Sequence, residues 1–179
     1  MPVDVHTNKS QSPSKELEQV FLDHYDLVYR AAFRITGNST DAEDALQTLF
    51  MRLIRRESTP DLKAGWPPYL HRAAINVALD IVRKRGRSVS ITEMEPWIKE
   101  SRPDPYREHK SNEIAASLRV ALSELSPRSA EVFVLRHIEG YSNVDIAKML
   151  STSTGSIAVT LFRARGSLRK SLNSFVGGQ

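Results

Sequence analysis

The sequence predicts an all-α protein of two small helical domains joined by a flexible linker, and three observations predict it. Apolar residues recur at three-and-four spacing over most of the 179 residues, the period of amphipathic helices. No alternating apolar and polar run of comparable length competes as a strand. Across 89–112 the period fails, and Pro96, Pro103 and Pro105 stand among mixed charges. The expected boundaries are a disordered leader at 1–13, a first domain at 14–88, the linker at 89–112, a second domain at 113–173 and a tail at 174–179.

Each helix has its own signals. Leu17, Val20, Phe21, Tyr25, Val28, Tyr29, Ala32 and Phe33 place an amphipathic helix from Ser14 to Thr36, stopped by Gly37-Asn38. Thr40 followed by Glu43 forms a capping-box pattern for a second helix, which carries Ala45, Leu46, Leu49, Phe50 and Leu53 to about Arg56. The loop Glu57 to Gly65 contains a proline and a glycine and breaks the pattern. Trp66-Pro67-Pro68 opens a third helix, with Leu70, Ala74, Val77, Ala78 and Ile81 on its buried face and a basic end. Helix resumes near Glu113, and Ser126-Pro127 caps the next, Arg128 to Glu139.

Composition narrows the chemistry. The net charge of +4 fits a polyanion partner without demanding one. With no cysteine there are no disulfides or thiolate metal sites. The apolar runs fall short of the roughly 20 residues that span a bilayer, and no apolar signal-peptide core opens the chain. A cytoplasmic protein with no membrane insertion is expected. The five histidines lie singly in different segments, and there is no Gly-rich phosphate loop. No catalytic group, metal site or cofactor is therefore expected, and the chain does not read as an enzyme.

The stretch from Ser142 to Leu172 points to function. A short helix with Val144, Ile146, Ala147, Met149 and Leu150, capped by Ser142 or Asn143, is followed by the turn Ser151-Thr152-Ser153-Thr154-Gly155. A second helix starts near Thr154 or Ser156, buries Ile157, Leu161, Ala164 and Leu168, and ends rich in Arg and Lys. This is the plan of a helix-turn-helix, whose second helix presents its N-terminal residues to the major groove. The same pattern also describes an ordinary helical hairpin.

The wider segment Leu125 to Ser142, with Ile146-Ala147, Gly155 and Leu161 to Arg165, resembles region 4 of the extracytoplasmic-function (ECF) sigma factors of bacterial RNA polymerase. The N-terminal half resembles region 2 of the same family through Phe21 to Tyr29, Asp41-Ala42-Glu43-Asp44, Leu46-Gln47 and Leu70 to Asp80. The resemblance implies an alternative sigma factor that binds core RNA polymerase, on its β′ clamp helices and β flap, and directs it to promoter DNA. Asp41, Glu43, Asp44 and Gln47 would meet the polymerase. Trp66, Tyr69, Arg72, Asn76, Asp80, Arg83, Lys84, Arg85 and Arg87 would hold the −10 element, the loop 57–65 capturing bases beside them. Ser153, Thr154, Ser156, Ala158, Val159, Thr160, Arg163 and Arg165 would read the −35 element. An anti-sigma factor is a further expected partner.

Ordinary helix physics also accounts for several of these residues. Acids at a helix start and cations at a helix end complement the dipole, and Trp66 and Tyr69 suit a core as well as a base platform. Two departures stand out: Thr48 replaces an acid common in the family, and Ala158 and Val159 are apolar where Lys, Arg or small polar residues are usual. Apolar residues there would suit thymine methyls rather than phosphates. Two other readings remain: a sigma-like mimic that sequesters an anti-sigma factor, and a stand-alone helix-turn-helix transcriptional regulator.

Overall fold

Over its described residues the computed structural model folds into the helices α1 Pro13–Thr36, α2 Ser39–Ile54, α3 Trp66–Gly86, α4 Pro105–Glu124, α5 Pro127–His137, α6 Asn143–Met149 and α7 Thr154–Val176. The structure describes residues 13–55, 62, 65–86 and 105–176, and no strand occurs among them. Residues 1–12 of the expected leader 1–13, most of the loop 57–65, Arg87 and the first part of the linker lie outside the described residues, whereas Pro13, placed in that leader, is the first residue of α1. No helix among the described residues is long and apolar enough to cross a membrane.

The helix ends follow local chemistry. Gly37 stops α1 at φ +71°, a left-handed conformation natural to glycine, and its N–H donates to the Phe33 carbonyl at 2.8 Å. The cap of α2 differs from the expected Thr40–Glu43 box. Asn38, extended at φ −145°, is the N-cap, its Oδ1 accepting from the Asp41 N–H at 2.7 Å while its Nδ2 donates to the Asp41 carboxylate. The helix therefore starts at Ser39, and the reciprocal pair is Asn38 with Asp41. Ser126 caps α5 with Pro127 in the first turn, and Ser142 caps α6. α5 closes at His137, two residues earlier than expected, with Gly140 at φ +79° just beyond. In the second turn Ser151 adopts φ 49°. Ser153 Oγ accepts the Ser156 N–H at 3.1 Å, which fixes Thr154 as the start of α7.

α4 departs most from expectation, beginning at Pro105 rather than near Glu113. Proline is tolerated in a first helical turn, and the stretch Tyr106-Arg107-Glu108-His109-Lys110 carries no apolar stripe from which a helix could be read. α7 likewise runs to Val176, past the expected start of the tail.

Two groups of helices share one core. α1, α2 and α3 pack on one another, as do α5, α6 and α7, while α4 lies against both α3 and α7 and α5 also touches α3. Val28, Ile35, Leu70 and Ile75 of the first group, Leu122 of α4, and Val132, Leu135, Ile146 and Ile157 of the second group are fully buried. α4 is joined to α1 by Arg119, whose Nε donates to the Ile35 carbonyl at 3.1 Å. Burial pushes the Arg119 guanidinium down to about 10, with Asp41 opposing the shift, so it stays charged at neutral pH.

A Cβ added at Gly37 would clash with that guanidinium, in a backbone conformation that costs a non-glycine residue about 1–2 kcal/mol. Gly37→Ala should therefore lower stability in chemical denaturation by about 2 kcal/mol. The loss should shrink in an Arg119→Ala background, because the clash is gone. Equal losses in the two backgrounds would show that Arg119 does not press on this turn.

Candidate polymerase and nucleic-acid interfaces

The acidic start of α2 divides into an inner and an outer part. Asp41 is buried at 4% exposure, and its Oδ1 pairs with the Arg85 guanidinium of α3 at 2.8 Å. Its carboxylate thus ties α2 to the basic end of α3 rather than facing outward with its neighbours. Glu43, Asp44 and Gln47 are exposed. Glu43 and Gln47 rim an apolar groove between α1 and α2 lined by Phe21, Tyr25, Leu46, Phe50, Met51 and Ile54. A groove with an apolar floor and acidic rim suits a helix that carries arginines beside apolar residues.

On α3 the residues expected at the −10 element are divided among several environments. Trp66 and Tyr69 are half-buried, in edge-to-face contact with ring centres 6.2 Å apart, and both pack on the core. Asp80 accepts from Arg83 at 3.0 Å, while Lys84 and Arg85 are exposed at the helix end. Arg72 and Asn76, one turn apart, point together at Glu131 of α5. Glu131 Oε1 accepts from Arg72 Nε at 2.7 Å and from Asn76 Nδ2 at 3.0 Å. Arg72 also donates to the Met149 carbonyl at 3.3 Å.

A second carboxylate meets both α1 and α3. Glu139 Oε2 lies 2.6 Å from Arg34 of α1 and 2.8 Å from His71 Nε2 of α3. A carboxylate only accepts, so Nε2 carries the proton, and in the neutral ring Nδ1 accepts from the Tyr141 hydroxyl at 3.2 Å. Burial, and then the Glu139 charge, raise the Tyr141 phenol above its ordinary value, with Arg34 opposing. That keeps the hydroxyl proton available to donate. Nothing in the sequence linked Glu131 or Glu139 to α3, because 59 and 68 residues separate the hydrogen-bonded partners.

The helix-turn-helix presents α7 outward. Ile157, Leu161, Ala164 and Leu168 form its buried stripe, and Thr154, Ser156, Ala158, Val159, Arg163 and Arg165 are exposed. Ser153 is occupied as the cap, and Thr160 is half-buried with its hydroxyl donating to the Ser156 carbonyl at 2.8 Å. Arg165 donates to His137 Nε2 from both Nε and a terminal nitrogen, at 3.3 and 3.2 Å. Burial, Arg165 and Arg136 together hold His137 below its usual value, which favours the neutral ring that this contact requires.

Phe162 was not among the expected site residues, yet it is 78% exposed and lies one turn beyond Val159, itself 50% exposed. Helical spacing places both opposite the buried stripe. An exposed aromatic beside arginines on an outward helix face was legible in the pattern LFRAR.

Comparison with known proteins follows this division of the chain. Residues 20–88 match the family described as sigma-70 region 2, and residues 115–168 match sigma-70, region 4. The ECF RNA polymerase sigma factor SigE of Mycolicibacterium smegmatis is 33% identical over 163 residues, covering 89% of this chain and 62% of that protein. The RNA polymerase sigma-E factor of Streptomyces coelicolor is 34% identical over 157 residues, covering 88% of this chain and 86% of that one. SigW of Bacillus subtilis, also named an ECF RNA polymerase sigma factor, is 26% identical over 156 residues. With both regions present in order and about a third of its residues shared along most of a sigma-E factor, the chain belongs to the ECF group of the sigma-70 family, the alternative sigma factors of bacterial RNA polymerase.

Proposed function

We propose that this chain binds core RNA polymerase through the outer face of α2, and that α3 and α7 then hold the −10 and −35 elements of promoter DNA. The observation that carries the reading is the separation of charge within the two family regions. Exposed carboxylates flank an apolar groove on α2, whereas exposed cations gather at the end of α3 and along α7. The chain contributes no catalytic group, and polymerisation belongs to the enzyme it joins in the cytoplasm.

Each surface has a physical task. Glu43, Asp44 and Gln47 guide a basic partner helix, and the groove rimmed by Glu43 and Gln47 takes its apolar side chains. Asp41 acts indirectly, by holding α2 against Arg85. Arg72 and Asn76, with Trp66, Tyr69 and Asp80 beside them, receive unpaired bases, since single-strand binders combine cations with aromatic faces. Arg83, Lys84, Arg85 and Arg87 take the phosphates upstream. On α7 the N-terminal residues Ser153, Thr154, Ser156 and Ala158 approach base edges with Thr160 just behind. Val159 and Phe162 offer apolar surface to thymine methyls, and Arg163 and Arg165 neutralise phosphates.

Purified core polymerase supplemented with the protein should produce transcripts from discrete start sites that core alone does not. Polymerase binding without any such transcript would favour the sequestering mimic, for which the apolar Val159 and Phe162 would be partner contacts. Binding of duplex DNA with no affinity for core would favour the stand-alone regulator.

Neutralising the outer acids, Glu43→Gln with Asp44→Asn, should weaken association with core several-fold at low salt and much less at high salt, as measured by fluorescence anisotropy. In duplex binding, Arg163→Ala with Arg165→Ala should flatten the dependence of log K on log salt by about 2, roughly 0.9 per lost phosphate contact. An unchanged slope would remove both arginines from the DNA surface.

A further inference from the structure

The geometry points to His137 as a positioning residue for DNA binding: its neutral imidazole at the end of α5 fixes the Arg165 guanidinium of α7 for a backbone phosphate without taking up any of its charge. The inference rests on the assignment of Arg165 to DNA phosphates.

Helix phase brings the two side chains together. Arg165 lies eight residues after the buried Ile157, about 80° round a 3.6-residue helix, so it stands at the edge of the buried stripe and within reach of α5. From there it donates to His137 Nε2 at 3.3 Å through Nε and at 3.2 Å through a terminal nitrogen. Among the described residues the side-chain bonds of Arg165 run only to His137. The imidazole is itself held, its centre 4.6 Å from that of the Phe133 ring one turn earlier on α5.

The acceptor differs in kind from those that arginines use elsewhere in the molecule. Arg34, Arg72 and Arg85 each bond to a buried carboxylate, Glu139, Glu131 and Asp41 respectively. A carboxylate orients a guanidinium but cancels its charge, and charge is the main source of affinity for a polyanion. A neutral ring nitrogen orients it and leaves the charge for DNA. It also restricts in advance a long side chain whose ordering on binding is otherwise costly. Burial, then Arg165 from α7 and Arg136 from α5, oppose protonation of the ring, so it is an acceptor at neutral pH. As pH falls below the ordinary imidazole range the ring gains a proton, Nε2 can no longer accept, and two cations face each other.

The test uses the full chain and a short DNA duplex of randomised sequence, with binding read by fluorescence anisotropy and Arg165→Ala as the reference. His137→Leu should weaken binding about threefold or more, and should have no further effect once Arg165 is replaced by Ala, because coupled residues are not additive. His137→Gln supplies a neutral amide oxygen and should keep affinity within about twofold of wild type. His137→Glu pairs with Arg165 and neutralises it, and should flatten the dependence of log K on log salt by about 0.9, one phosphate contact. Between neutral pH and about pH 5 the advantage of wild type over Arg165→Ala should shrink, whereas in a His137→Gln background it should stay constant. His137 is exposed, so the circular-dichroism melts of these variants should match that of wild type.

Equal losses from His137→Leu with and without Arg165, or no loss, while Arg165→Ala still weakens binding, would overturn the positioning role and leave Arg165 on the DNA surface. Arg165→Ala without effect on affinity or salt slope would take Arg165 off that surface, and the inference with it.

Discussion

Two buried carboxylates govern how the halves of this molecule meet. Removing an ionised carboxylate from water costs several kcal/mol unless charge and hydrogen bonds replace the lost solvation. Within its own region Glu131 has Arg128 at 3.4 Å, a long contact, and the shorter bonds come from Arg72 and Asn76 across the seam. Glu139 depends on α1 and α3 in the same way, through Arg34 and His71. The burial of α5 against α3 and the orientation of the α3 polar face are therefore one constraint. Neither carboxylate can stay buried at the seam unless α3 presents its donors there.

The same constraint explains why the N-terminal half is internally paired at its other end. Asp41, at the third position of α2, is held by its Asn38 cap and by Arg85, and its charge favours the protonated form of Arg119 where α4 reaches α1. An acid that the sequence placed on an outer docking face becomes a brace between α2, α3 and α4. Glu43 and Asp44, two and three residues further on, stay exposed, Asp44 beside Ile81, Lys84 and Arg85 of α3 and Glu43 on the groove towards α1. Around a 3.6-residue helix, a shift of two positions is enough to turn an acid from an internal tie into surface charge on another face, as at Glu43.

Much of this was legible in the sequence because helical burial is a local, periodic property. The apolar stripes of α1, α3 and α7 recur at three-and-four spacing, and Val28, Leu70, Ala74, Ile157, Leu161 and Ala164 are all buried as that period requires. The Ser126 cap was readable as well, whereas for α6 Ser142 and Asn143 were equally suitable and the structure selects Ser142. The cap of α2 was not, because Thr40–Glu43 and Asn38–Asp41 both satisfy a capping pattern and only the extended backbone at Asn38 decides between them. The start of α4 was hidden for the opposite reason, since a polar first turn leaves no period to read. At the candidate site, residue identities were local information, whereas the occupation of Arg72 and Asn76 by Glu131 depends on packing between distant segments. The exposure of Phe162 was local information too, since helix phase sets it off the buried stripe.

The seam combines two kinds of interaction. Apolar burial is continuous across it, since the core of α1, α2 and α3 runs into that of the later helices, and such burial is non-directional, at about 25 cal/mol per Å² of apolar area. The bonds from Arg72, Asn76, Arg34 and His71 to Glu131 and Glu139 are directional. A buried carboxylate left without them would carry its desolvation cost uncompensated. Apolar contact thus holds the halves together, and the charge-assisted bonds fix the register in which they meet.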